Sequence, residues 1–145
     1  MKLTQLKKIY ISQNNLTEFP DLSNSKELSY VHVSDNQIAA FEGHKFNTNE
    51  LEILDMSKNK LKTIPNLFKT QAANNLKIAK LAHNEISEMN ASDFVGLKAI
   101  QHINLSHNMM KNVPPIFGIV TELKSLNLEW NDIGELVITN LGCTL

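Results

Sequence analysis

The chain has 145 residues, 42% of them apolar, with 14 basic residues set against 15 acidic ones for a formal net charge of −1. That balance argues against a disordered polyelectrolyte and against a basic surface for nucleic acid, and no apolar run is long enough to cross a bilayer. The single cysteine, Cys143, has no partner in the chain for an internal disulfide, so it does not report the redox compartment.

From the amino terminus onward, six segments share one register: Leu or Ile, two residues, an aliphatic, one residue, an aliphatic, two residues, Asn. They run Leu6 to Asn14, Leu28 to Asn36, Leu51 to Asn59, Leu76 to Asn84, Ile100 to Asn108 and Leu123 to Asn131. Successive starts lie 22, 23, 25, 24 and 23 residues apart. Ankyrin and tetratricopeptide arrays, with periods of about 33 to 34 residues, are thereby excluded. Residues 1–145 are read as one repeat domain whose core is built by stacking each unit on its neighbours.

Within each segment the period-two alternation predicts a short strand buried on one face. Stacked in parallel, the strands align Ile9, Val31, Leu54, Ala79, Ile103 and Leu126 in one inner column, and Ile11, Val33, Met56, Leu81, Leu105 and Leu128 in the next. The closing Asn14, Asn36, Asn59, Asn84, Asn108 and Asn131 sit where the chain leaves the strand. Their amides both donate and accept, so they are expected to form a buried ladder satisfying backbone groups.

Each Asn is followed by two more apolar positions, Leu16 and Phe19 in the first unit, then Ile38 and Phe41, Leu61 and Ile64, Ile86 and Met89, Met110 and Val113, Ile133 and Leu136. These are expected to fill the convex side. Pro20, Pro65 and Pro114 should hold off helix directly after them. Single helical turns are predicted at Ser92 to Leu97, with Ser92 as the capping residue, and at Pro115 to Val120.

From about Leu3 to Leu136 the chain resembles the leucine-rich repeat family, on the strength of these six LxxLxLxxN motifs in phase. Leu76 to Ala99 also resembles the 24-residue subclass frequent in receptor ectodomains, with Phe94 and Leu97 at its distal apolar positions. The unit from Ile100 is nearer a 23-residue form also seen in cytosolic scaffolds. The resemblance implies an α/β solenoid, an arc with a parallel sheet on its concave face and irregular or short-helical convex segments. It also implies a non-enzymatic binding module without cofactor. No Cys-rich cap precedes Leu6 and few residues follow Leu136, so the chain reads as a fragment, with self-association expected through uncapped ends.

Three columns of side chains are expected to point out of the sheet. One is Lys8, Tyr30, Ile53, Ile78, His102, Ser125; the next is Tyr10, His32, Asp55, Lys80, Asn104, Asn127. The third, Gln13, Asp35, Lys58, His83, His107, Trp130, is read as lying at the strand ends. The candidate ligand surface is Tyr10, Tyr30, His32, Ile53, Asp55, Ile78, Lys80, His102 and Asn104, because exposed aromatics and aliphatics rimmed by charge are what protein interfaces favour. The alternative is a fortuitous apolar patch of the kind any surface carries.

Trp130 suits a ligand anchor, and equally a cover for a following repeat. His83 and His107 occupy equivalent positions in adjacent units; with no third ligand, no metal site is expected, and solvated histidines are preferred to a pH switch. His32 beside Asp55 lacks a nucleophile, and Ser106 and His107 point to different sides, so no catalytic residue is named. Three sequons occur, at Asn15, Asn90 and Asn104; Asn15 and Asn90 are the sterically easier glycan acceptors, and Asn104 would place a glycan on the concave face.

The functional expectation is a protein ligand held on the concave face, with no nucleic acid and no membrane insertion in this segment. An extracellular or cell-surface receptor-like protein is favoured, on the subclass of the fourth unit and the sequons. The alternative is an intracellular scaffold or adaptor, on the lack of a secretory signal, caps and disulfides.

Overall fold

A computed structural model describes residues 3–136; Cys143 lies outside them. Six three-residue strands form: β1 (Lys8–Tyr10), β2 (Tyr30–His32), β3 (Ile53–Asp55), β4 (Ile78–Lys80), β5 (His102–Asn104) and β6 (Ser125–Asn127). All pair in parallel within one sheet, in chain order. The register is the one the repeat motif dictates: Ile9 aligns with Val31, Val31 with Leu54, Leu54 with Ala79, Ala79 with Ile103 and Ile103 with Leu126. Val31, Leu54, Ala79 and Ile103 are shut off from solvent, as are Val33, Met56, Leu81 and Leu105 of the next column. Full burial of one such aliphatic side chain contributes roughly 1.5 to 3 kcal/mol, so these two columns supply much of the cohesion between units.

The strands end early because the chain turns through a left-handed residue just before each Asn. Gln13, Asp35, Lys58, His83, His107 and Trp130 all have φ between 53° and 57°. The third outward column therefore lies not on the strands but on the rim where the chain leaves them. Interstrand bonding nevertheless continues through the turn: Asp35 N–H donates to Ser57 O at 2.9 Å, and His83 N–H to Ser106 O at 3.0 Å. A left-handed conformation costs a side-chain-bearing residue about 1 to 2 kcal/mol. The asparagine that follows offsets it.

Each internal Asn bonds on both sides of the seam between units. Asn84 Nδ2 donates to Leu81 O of its own unit and to Met56 O of the preceding one, both at 3.0 Å, while its Oδ1 accepts Leu61 N–H at 3.0 Å. Asn36, Asn59 and Asn108 repeat the pattern, and all four are buried. Asn131 spans its seam in the same way while half-buried. Asn14 departs from the expected buried ladder: it is exposed, and its amide reaches only Ile11 O and Ser12 O of its own unit.

On the convex side the helical content among the described residues is four 3-10 turns, at Gly43–Lys45, Asn66–Lys69, Gln71–Ala73 and Ala91–Phe94. The turn expected from Ser92 starts one residue earlier, flanked by Asn90, whose backbone N–H donates to the Asp93 carboxylate at 2.7 Å. Pro115 to Val120 forms a hydrogen-bonded turn rather than a helix, with Ile119 and Val120 N–H both donating to Ile116 O. Pro65 does not delay helix; a 3-10 turn begins at the next residue, since the fixed φ of proline suits a helix start and its missing N–H has no partner to lose there. Leu136 is 46% exposed rather than packed.

The longest unit uses its additional residues to build the two consecutive 3-10 turns, which bury Leu67, Phe68 and Ala73. Gly96 docks against the first of them, its N–H donating to Phe68 O at 2.7 Å. A Cβ on Gly96 would stand 2.4 Å from Thr70 O and 2.5 Å from Phe68 O, so only glycine fits. Nearer the amino terminus, Phe19, Phe41 and Phe46 pack as a buried trio with ring centroids 4.5 to 6.2 Å apart.

Candidate functional site

With the inner columns buried, the residues between them on each strand form the open face. Lys8, Tyr30, Ile53, Ile78, His102 and Ser125 align in one row, and Tyr10, His32, Asp55, Lys80, Asn104 and Asn127 in the other. All nine candidate ligand residues thus fall on one surface, but they are not equally available.

Tyr10 is 61% exposed and its ring lies 5.0 Å from that of Tyr30 at 34°. The His32 ring is 6.1 Å from Tyr10 and 6.2 Å from Tyr30, making a three-ring cluster on β1 and β2. Ile53 and Ile78 extend it as half-buried aliphatics, flanked by the exposed Lys80 and His102. Beyond them a depression of about 220 Å³ is floored by Ala79 and Ile103 and walled by Ile78, Lys80, His102, Asn104, Ser125 and Asn127.

Two candidates are less free than their positions suggest. Asp55, expected as an open charge, is only 6% exposed. Its carboxylate lies between longer neighbours, 3.7 Å from His32 Nε2 and 3.5 Å from Lys80 Nζ, and accepts Ser57 N–H at 3.1 Å. Asn104 is half-buried and its Oδ1 accepts Ser106 N–H at 3.0 Å; Asn127 treats Glu129 N–H in the same way at 2.9 Å. These three short side chains brace the strand ends. Asp55 accordingly holds His32 and Lys80 in place more than it contacts a visitor.

On the rim, the rings of His83 and His107 stack at 4.1 Å and 11°, and His107 stacks on Trp130 at 5.5 Å and 9°. Stacked imidazoles direct their in-plane lone pairs in parallel, so the pair does not converge on one ion. Among the described residues, no three His, Cys, Asp or Glu side chains group as metal ligands. Burial, then the neighbouring His107 and Lys58, hold the His83 imidazole below its ordinary pKa. Ser106 is buried in the turn after β5, whereas His107 is exposed. Of the sequon asparagines, Asn15 and Asn90 are exposed and Asn104 is engaged as above.

Six parallel rungs, asparagine-braced seams and an open strand face define a repeat solenoid. The chain belongs to the leucine-rich repeat family: the profile described as "Leucine rich repeat" matches residues 74–133 and a second of the same description matches residues 50–70. Lumican of Coturnix japonica is 30% identical over 93% of this chain and 46% of that protein, so the chain spans about half the length of this curated relative. The leucine-rich repeat-containing G-protein coupled receptor 5 of Rattus norvegicus is 28% identical over 88% of this chain and 14% of the receptor. In the TLR13–ssRNA13 complex a region with a TM-score of 0.83 is 22% identical, covering 97% of this chain and 20% of that one, a likeness of fold alone. No helix among the described residues is long and apolar enough to cross a membrane.

Proposed function

We propose that this chain is a non-enzymatic protein-binding module of an extracellular or cell-surface, receptor-like protein, and that it holds its protein ligand on the concave strand face. The observation that carries this reading is the Tyr10–Tyr30 pair, two tyrosines 5.0 Å apart on adjacent strands, continuous with Ile53 and Ile78. Tyrosines present a large rigid apolar body with a polar tip, the chemistry that anchors protein interfaces. The rim of Lys80 and His102 supplies orientation, with Asp55 as the positioning residue beneath. A receptor among its relatives supports the receptor-like placement.

The mechanism is preorganised presentation. Each contact residue stands on a strand fixed by two neighbours, except Tyr10 on the edge strand β1, so little conformational entropy remains to be lost on binding. A nucleic-acid ligand is disfavoured, since all basic side chains of this chain are lysines and acidic residues outnumber them.

The test is a screen of secreted and cell-surface proteins against the immobilised chain, repeated with the double variant Tyr30→Ser, Ile53→Ser. Losing two anchors is expected to weaken binding about a hundredfold, with the circular dichroism spectrum and melting temperature close to those of the parent. Equal affinity of the parent and double variant for every partner recovered would refute the strand-face site.

A further inference from the structure

The depression on the strand face lies over β5, with β4 along one wall and β6 along the other. At about 220 Å³ it has room for one side chain. The register sets Lys80, Asn104 and Asn127 in one row across it and His102 beside Ser125 in the other.

Its acceptors are already occupied. Asn104 Oδ1 accepts Ser106 N–H at 3.0 Å and Asn127 Oδ1 accepts Glu129 N–H at 2.9 Å, which fixes how each amide is turned and leaves its Nδ2 end for a ligand. Asn127 Nδ2 stands 3.5 Å from Glu129 Oε2, an acid of the chain itself. Asn104 Nδ2 has no partner among the described residues, and since none of their side-chain polar atoms is buried without one, it reaches solvent. Lys80 Nζ adds an ammonium with three protons, of which the Asp55 contact at 3.5 Å engages one side only. The exposed His102 and Ser125 complete the polar wall, and β4, β5 and β6 carry no Asp or Glu.

The groups left over are therefore donors gathered beside a lysine. An ionised carboxylate matches them best, because it accepts only, through two oxygens, and forms stronger bonds to such donors than a neutral carbonyl does. Half-buried Ile78 offers apolar surface to the methylenes of its stem.

We propose that this depression is the subsite for an aspartate or glutamate side chain of the protein ligand, its carboxylate held by Lys80 Nζ and Asn104 Nδ2 and flanked by His102 and Ser125. The assignment rests on the strand-face reading above and adds the chemistry of one contact to it. Tyr30 on β2 and Asn104 on β5 stand about 14 Å apart at the usual strand spacing. The ligand accordingly presents an apolar group and an acid at that separation.

The decisive variant is Asn104→Asp. Asp55 shows that aspartate suits this position of a strand, since its carboxylate accepts the N–H two residues on at 3.1 Å as Asn104 does. The variant thus keeps the turn after β5 and replaces the donor by a negative acceptor, and its melting temperature should stay close to that of the parent. A random dodecapeptide library is displayed on phage through the peptides' carboxyl ends, so that only side-chain carboxylates are offered. It is selected on the immobilised chain, with Asn104→Asp for counter-selection, or Lys80→Gln should the first variant not fold. Clones kept by the parent and rejected by the variant are expected to be enriched in Asp and Glu. In a synthetic, carboxyl-amidated peptide from the leading clone, replacing the acidic residue by its amide is expected to weaken binding about tenfold, and Lys80→Gln in the chain about fivefold. Selection of no peptides, of peptides without acidic enrichment, or of peptides held equally by the counter-selection variant would overturn the proposal. Peptides that need Tyr30 and Ile53 but tolerate Asn104→Asp would do so while leaving the strand-face site standing. Acidic peptides that need Asn104 and Lys80 but not Tyr30 and Ile53 would uphold the subsite and remove the tyrosine anchor.

Discussion

Replacing Asn84 by Ala removes one side chain from a buried seam between units. Asn84 is 7% exposed, and its Oδ1 accepts the buried Leu61 N–H. The carbonyls it serves fare better, because Met56 O keeps Asn59 and Leu81 O keeps Asn108. The variant therefore strands one buried donor and leaves two acceptors half-served. An unsatisfied buried amide costs about 1 to 3 kcal/mol, and a 150-residue chain melts about 2 to 4 °C lower for each kcal/mol lost. A fall of roughly 4 to 8 °C is expected by thermal unfolding, for a loss near the middle of that range. Asn14→Ala is the control: Asn14 is exposed and its side chain bonds only within its own unit, so a shift below about 0.5 kcal/mol is expected. If both variants melt together, the bridging account of the asparagines is wrong.

Gly96→Ala should destabilise by about 1 to 3 kcal/mol, because the new methyl meets backbone rather than yielding side chain, whereas Gly118→Ala, with open space around it, should be neutral or slightly stabilising; urea titration of both variants checks the contrast. The depressed pKa of His83 has a definite sign: the folded chain takes up this proton less readily than the unfolded one, so its stabilising contribution is complete above the ordinary value of 6.5 and is lost as pH falls through it toward the lower folded value. His83→Gln should flatten that part of the pH–stability curve, measured as the urea midpoint between about pH 7.5 and pH 5; an unchanged slope would show that the stack does not sense the proton. Asp55→Asn keeps the bond to Ser57 N–H but removes the charge under His32 and Lys80, and is expected to weaken strand-face binding more than it lowers the melting temperature.

The strand register was legible residue by residue, since a one-residue slip in a period-two pattern would turn Leu54 and Met56 to solvent and Asp55 inward. The nine candidate site residues fell on one face for the same reason. What the pattern does not carry is which outward side chain is covered by its neighbours. Asp55 is buried because His32 and Lys80 are longer and lean over it, a relation between three units that no single unit contains. The rim was misread as strand because its left-handed position is occupied by Gln, Asp, Lys, His and Trp, of which few advertise a positive φ. Ring stacking along that rim follows from the turn and was hidden with it. On the convex side, Asn90 with Asp93 three residues later was a readable start signal, passed over for Ser92. The turns after Pro65 depend on packing Leu67 and Phe68 across units, and they had no periodic signature of their own.

Sharing each seam carbonyl between two consecutive asparagines makes whole units interchangeable. Excision of residues 51–75 would join Glu50 to Leu76 and bring Asn84 to the place Asn59 had held, within reach of Ile38 N–H and Val33 O. A shorter excision offers no such substitute and opens the seam. An array wired in this way lengthens or shortens by duplication and loss of complete rungs, and each new rung adds one more step of binding surface to the strand face.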